Sequence, residues 1–230
     1  MLRTTILSSG SLGNSILVEV NGICILLDAG LSVKTLKARL ESVAYSIDDI
    51  VFVYYSHSHS DHFIEKTDSY VSLIGTKIID ENDLKISCFD LHHDVPCRGY
   101  RVEDNSGNVL VYITDTGNIP AEVYPMLRGA NIMILEFNYE SDMLNLNEIY
   151  SSDLKERIAE NHLSNEQAHG LIASMGSDNL KYLFCHHLSS KNNTHELVEF
   201  AARSALHDCD SSAEVIVCQQ DKATNVVTIM

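Results

Sequence analysis

Over its first third the chain alternates short β-type runs with turn clusters. Residues 4–7, 15–20 and 23–27 read as strands, separated by the Gly/Ser turn 8–14 and by Asn21-Gly22. An Asn-Gly pair between two such runs is a strong hairpin signal, because both positions tolerate positive φ. Asp28-Ala29-Gly30 closes the third run, after which Val33, Leu36, Leu40 and Val43 fall at helical spacing. Residues 50–55 form a short apolar run that leads straight into a histidine-rich loop.

Beyond that loop the spacing predicts strands at 77–79, 85–89, 99–103, 109–113, 132–136, 180–185, 214–219 and 225–229. Helices are expected over 121–127, 152–161, 165–175 and 194–206, with Ser164 capping the third of these. There is no internal repeat, linker or low-complexity stretch, so residues 1–230 read as a single domain. Strands and helices interleave throughout, while the tight early hairpin argues against a purely parallel sheet. The expected class is a mixed α/β sandwich with sheets inside and helices outside.

Composition narrows the function. Apolar residues make up 45% of the chain and charged residues 21%, enough for a large core. Disorder, collagen-like repeats and coiled coil are excluded. No apolar run approaches the ~18 residues of a membrane span. Residues 1–20 lack a basic stretch followed by an apolar block, so a cytoplasmic protein without a membrane partner is expected. Net charge is −16, and no two Lys or Arg residues are adjacent, so no basic groove for nucleic acid is visible. Six scattered cysteines without a CxxC pair read as reduced, mostly buried thiols.

The most specific feature is His57-Ser58-His59-Ser60-Asp61-His62. Alternate positions on an extended segment share a face, so His57 and His59 can grip one metal ion, while the following turn aims Asp61 and His62 at a second. Imidazole and carboxylate donors suit zinc, and also manganese or iron. One loop cannot complete two coordination shells. Candidates elsewhere are His92-His93-Asp94, Asp115 just past 109–113, and His187 after 180–185, with His92 and His186 adjacent alternatives. Asp115 could bridge two ions through its two oxygens. His162 stands just ahead of a predicted helix, whereas His169, His195 and His207 lie on helices and read as surface or core residues.

These residues resemble the metallo-β-lactamase superfamily of metal-dependent hydrolases, whose signature is H-x-H-x-D-H. The resemblance narrows to the YycJ/WalJ-type, exonuclease-like branch. It rests on SSGSLGNS (8–15), LLDAGLS (26–32), a His-Asp pair before a Gly-aromatic, TDTG (114–117), EFNYESDML (136–144), LKERI (154–158), HLSN (162–165) and HLSSKNNT (187–194). It implies a four-layer αββα metallo-β-lactamase sandwich with mixed sheets and two divalent ions. His57, His59 and His93 would bind the first, Asp61, His62 and His187 the second, with Asp115 bridging. Asp28 would orient the histidine loop. His162 matches a histidine that, in the related ribonuclease Z group, contacts the scissile phosphate and helps protonate the leaving group; Asp61 and His162 are thus the expected catalytic residues. Asn14, Asn192 and Asn193 match positions near the site mouth and are expected to contact substrate. The chain departs from the branch after His62, where Phe63-Ile64-Glu65 replaces a glycine and the distance to His93 is short.

The resemblance implies a phosphodiesterase or exonuclease acting on DNA or RNA ends, through a hydroxide bridging the two metals. Two divalent ions would supply locally the positive charge that the chain lacks. The acidity favours an alternative, a small-molecule hydrolase for cyclic nucleotides, lactones or thioesters. The third reading is an inactive metal-binding interaction protein. A homodimer is compatible with the sequence.

Overall fold

The computed structural model describes residues 1–74, 84–175 and 179–230. The chain divides into two compact units: Met1–Ser87 with Val102–Val109 and Cys218–Met230, and Cys88–Arg101 with Leu110–Val217.

The first unit begins with strands β1 (Leu2–Ser8), β2 (Ser15–Val20) and β3 (Ile23–Ala29). Asn21 and Gly22 both take positive φ, 52° and 86°, so the expected hairpin turn forms between β2 and β3. Helix α1 (Val33–Ser42) follows, then β4 (Ile50–Tyr54) and helix α2 (Glu65–Ile74). Ser32 caps α1 by accepting a hydrogen bond from the Thr35 amide. Leu36 and Leu40, one helical turn apart, bury against Leu7, Leu17, Leu26, Ile50 and Val71.

Later in the chain come β5 (Lys85–Leu91), β6 (Cys97–Glu103), β7 (Val109–Ile113), helix α3 (Tyr124–Leu127), β8 (Ile132–Glu136) and the helices α4 (Ser141–Leu146), α5 (Ser152–Asn161) and α6 (Asn165–Met175). Strand β9 (Tyr182–His186), helix α7 (His195–Asp208), β10 (Glu214–Val217) and β11 (Val227–Ile229) complete the fold. One sheet has the order β11-β1-β2-β3-β4 and the other β10-β9-β8-β7-β6-β5. In the first, β1 pairs antiparallel with β11 and β2, and β3 pairs parallel with β4. In the second, β7, β8, β9 and β10 are parallel.

The second unit's register positions its chemistry. Ile113 stands beside Leu135, and Leu135 beside Cys185. Three strands thus end together, and Asp115, Glu136 and His187 emerge at one carboxyl edge, where open parallel sheets present their functional residues. Helices α6 and α7 pack on each other, and α7 covers β9 and β10. Ser164 and Gln167 form a reciprocal cap on α6: the Ser164 hydroxyl accepts from the Gln167 amide, and the Gln167 side chain accepts from the Ser164 amide.

Most predicted elements stand within two or three residues of their expected bounds. The expected helix over 121–127 is a 3-10 turn, Ala121–Val123, running into the short α3. Two helices escaped the sequence reading, α2 and α4. The expected strand at 77–79 lies outside the described residues. Leu36→Ala should destabilise the first unit by about 2–5 kcal/mol, the cost of a core cavity, measurable as an earlier midpoint in urea unfolding.

Candidate metal centre and its donor groups

In the first unit the histidine loop hangs from β4 and is held by Asp28. That residue is fully buried and sits in the left-handed region at φ 61°. Its Oδ1 accepts from the Ser56 amide at 2.6 Å, and its Oδ2 from the Ser56 hydroxyl at 2.8 Å and His62 Nδ1 at 2.7 Å. A carboxylate on Nδ1 fixes the tautomer and leaves Nε2 of His62 as the electron-pair donor. Nε2 in turn stands 2.9 Å from the Asn14 side-chain amide and 3.4 Å from Asp61 Oδ2. His57 Nε2 and His59 Nδ1 approach to 3.0 Å, as expected of two rings aimed at a common point.

Asn14 belongs to this scaffold. It is fully buried, its backbone amide donates to the Asp61 carbonyl at 2.7 Å, and its side-chain oxygen accepts from the Gly10 amide at 2.8 Å. Gly30 abuts the same turn: a Cβ there would stand 1.7 Å from the Asp61 carbonyl oxygen. Phe63 forms a bridge to Ala29 and sets its ring edge-on to Tyr55 at 4.9 Å.

In the second unit Asp115, Glu136, His162 and His187 each offer a donor atom, and the four atoms lie within 4.8 Å of one another. Glu136, which sequence reasoning quoted inside a motif without giving it a role, is their organiser. Fully buried at the end of β8, it accepts from His162 Nδ1 at 2.7 Å and His187 Nδ1 at 2.9 Å through Oε1. Its Oε2 accepts from the Leu163 amide at 3.0 Å and the Thr116 amide at 3.3 Å. The signal in the sequence was a carboxylate closing an otherwise apolar strand. Burial alone would raise the Glu136 pKa, but the facing His162 and His187 hold it below the ordinary range. Burial conversely lowers the His162 pKa, and the Glu136 carboxylate overcomes that and raises it.

Asp115 and His187 both adopt left-handed backbones, at φ 48° and 56°, a conformation costing of order 1–3 kcal/mol in a non-glycine residue. Asp115 Oδ2 accepts from the Thr114 hydroxyl at 2.7 Å, and its Oδ1 lies 3.4 Å from Nδ1 of both His162 and His187. His93 stands 3.2 Å from the Asn161 carbonyl, with its ring 5.6 Å from that of His162. Its side chain is 2% exposed while His92 faces solvent, and burial lowers its pKa against the pull of Asp115. His186 is buried, stacked on His187 and edge-on to Tyr112, as a core residue would be. Gly117 lets the segment before His162 approach, since a Cβ there would stand 1.7 Å from the Glu160 carbonyl oxygen.

Asn192 and Asn193, expected at the site mouth, are buried. Asn192 Oδ1 accepts from Asn147 at 2.7 Å. Both amide hydrogens of Asn193 are engaged by Asn165 Oδ1 and the carbonyls of Phe137 and Asn138. Of the basic side chains, Arg157 pairs with Asp94 at 2.6 Å, and Arg101 donates to the carbonyls of Met126 and Arg128.

These donor sets fit divalent cations. The groups are imidazoles and carboxylates, they lie close together within each unit, and three of the rings, those of His62, His162 and His187, are oriented by buried carboxylates as ligating histidines commonly are. Residues 9–64 match the metallo-β-lactamase superfamily and residues 72–187 a β-lactamase superfamily domain. The chain belongs to the metallo-β-lactamase superfamily and is a metal-dependent hydrolase of that class. It is 28% identical to the exodeoxyribonuclease YycJ of Bacillus anthracis, over 90% of each chain. It is also 28% identical to the exodeoxyribonuclease WalJ of Streptococcus pneumoniae, over 98% of this chain and 96% of that one. The metallo-β-lactamase fold protein YhfI from Bacillus subtilis superimposes with a TM-score of 0.71 at 16% identity, covering 97% of this chain and 98% of that one, which shows the fold the sequence implied.

Gly30→Ala and Gly117→Ala should each lower the melting temperature, since either methyl would displace backbone; overpacking of this kind costs about 1–3 kcal/mol. In metal-free protein His162 should titrate above the ordinary histidine value of 6.5, and Glu136→Gln should bring it back down, read from its ring-proton shifts. The stability that His162 adds is complete below pH 6.5 and is lost as pH rises through its raised folded pKa. The part due to Glu136 is complete above pH 4.5 and is lost as pH falls through its lowered folded pKa.

Proposed function

We propose that the chain is a phosphodiesterase that trims nucleic-acid ends in the cytoplasm. We further propose that 1–230 act as a single functional domain. His57, His59 and His93 would hold one divalent ion and Asp61, His62 and His187 another, with Asp115 shared between them. Zinc is the expected metal, and manganese or iron would suit the same donors. The observation that carries the reading is a histidine locked through Nδ1 onto a buried carboxylate, among carboxylate and imidazole donors. The names of the YycJ and WalJ relatives, matched over at least nine-tenths of each chain, support a nuclease.

Bound ions of this kind supply an acidified water and neutralise charge developing on the phosphoryl oxygen. The chain's own residues do the rest. His162 keeps its Nδ1 proton on Glu136, and the carboxylate stabilises the imidazolium. Nε2 is then the proton source for the departing oxygen. Asp28 fixes the His62 tautomer, and Asn14 holds Asp61 and His62 against each other. We assign Asn193 to bracing the loop after β9 rather than to touching substrate, because its amide is spent inside the protein. Asn192 joins that brace through Oδ1, which accepts from Asn147, while its own amide nitrogen is buried without a hydrogen-bond partner among the described residues.

A second reading is favoured by the charge of −16 and by the internal use of Arg101 and Arg157. It makes the substrate a small phosphodiester such as a cyclic nucleotide. A substrate panel with added zinc and manganese separates the two. Shortening of 5′-phosphorylated single-stranded DNA is expected; hydrolysis of cyclic nucleotides alone would select the second reading. Inertness to every ester with metal bound would select a binding protein without turnover. His162→Ala should keep its metal, by elemental analysis, while turnover falls by about 10²–10⁴. Parallel loss of metal and activity would refute the proton-donor role.

A further inference from the structure

We infer that Asn138 is the positioning residue for His187, gripping the backbone of that histidine so that its ring presents Nε2 outward; this rests on the proposed role of His187 as a metal ligand. The residue after β9 must turn out of the strand, and His187 does so in the left-handed region, which only glycine enters without strain. The Asn138 side-chain amide donates to the His187 carbonyl at 2.9 Å. The same nitrogen lies 3.3 Å from His187 Nδ1, and Glu136 Oε1 lies 2.9 Å from that Nδ1 on another side. One ring nitrogen cannot accept from an amide and donate to a carboxylate at once. The shorter, charge-assisted contact takes the proton, so Nδ1–H points to Glu136 and the hold of Asn138 is on the carbonyl.

Glu136 and Asn138 stand two residues apart as β8 ends, where alternate positions share a face. One sets the rotation of the ring and the other sets the backbone beneath it. Asn138 is itself immobilised. It is buried, its amide donates to the Leu163 carbonyl at 3.0 Å, and its carbonyl accepts from the Ser189 amide at 2.9 Å and the Asn193 side chain at 3.2 Å. The E-x-N spacing of 136–138 thereby acquires a physical reason that the proton-transfer role of Glu136 alone leaves unexplained.

The test titrates zinc into metal-stripped full-length protein by calorimetry, for the unsubstituted chain, Asn138→Ala, Asn138→Asp and a control in the other unit, Asn108→Ala. Imidazole ¹⁵N spectra of the metal-free forms accompany it. Both Asn138 variants should keep a cooperative melt yet bind one zinc about 10–100-fold more weakly, the usual loss when a residue supporting a ligand is removed. With its carbonyl released, His187 should swing its ring off Glu136, and its nitrogens should move from a single Nδ1–H tautomer to a mixture, a change that mere loss of stability would not produce. Unchanged affinity and an unchanged tautomer in folded variants would overturn the inference. So would failure of both variants to fold, which would make Asn138 a folding residue. Absence of zinc binding by the unsubstituted chain would overturn the ligand reading instead, and the tautomer spectrum would still decide the role of Asn138.

Discussion

Register between parallel strands governs the second unit. Because Ile113, Leu135 and Cys185 stand side by side, the chain leaves β7, β8 and β9 at one level. A shift by one residue in any of them would exchange the side chains on its two faces, and because β7 and β8 are buried at every position two close-packed faces would have to be rebuilt at once. Hydrophobic burial, which is blind to direction, thus sets the placement of Asp115, Glu136 and His187. Polar chemistry only refines what the sheet has fixed.

That refinement is made by hydrogen bonds at residues with strained backbone. Asp28, Asp115 and His187 all occupy left-handed conformations where strands turn into loops. Each is over-determined by its surroundings: Asp28 by Ser56 and His62, Asp115 by Thr114, His187 by Glu136 and Asn138. The same pattern in both units, a buried carboxylate on the Nδ1 of a histidine, keeps a proton on Nδ1 and turns Nε2 toward the chemistry.

Much of this was legible in the chain. The strand runs 15–20, 109–113 and 132–136 and the helices 152–161 and 165–175 were read to the residue, because their apolar spacing and caps agree with their tertiary surroundings. The donors of the 57–62 loop were visible because four of them crowd into six positions. Helix α2 was not, since its Thr, Ser, Asp and Tyr residues give little helical periodicity and only Thr67 and Val71 among its described side chains are fully buried. Glu136 went unassigned because a single acid at a strand end looks the same whether it faces water or two histidines. The asparagines were ambiguous for a related reason: an amide beside a site can bind substrate or backbone, and only coordinates show which acceptors surround it.

The left-handed turns also set evolutionary terms for the chain. At Asp28, Asp115 and His187 a glycine would relax the backbone, yet it would delete the side chain that the turn presents. Selection for folding and selection for reactivity therefore pull against each other at these three positions. A lineage released from its catalytic duty would be expected to lose its chemistry there first, by drifting toward glycine while the sheets stayed intact.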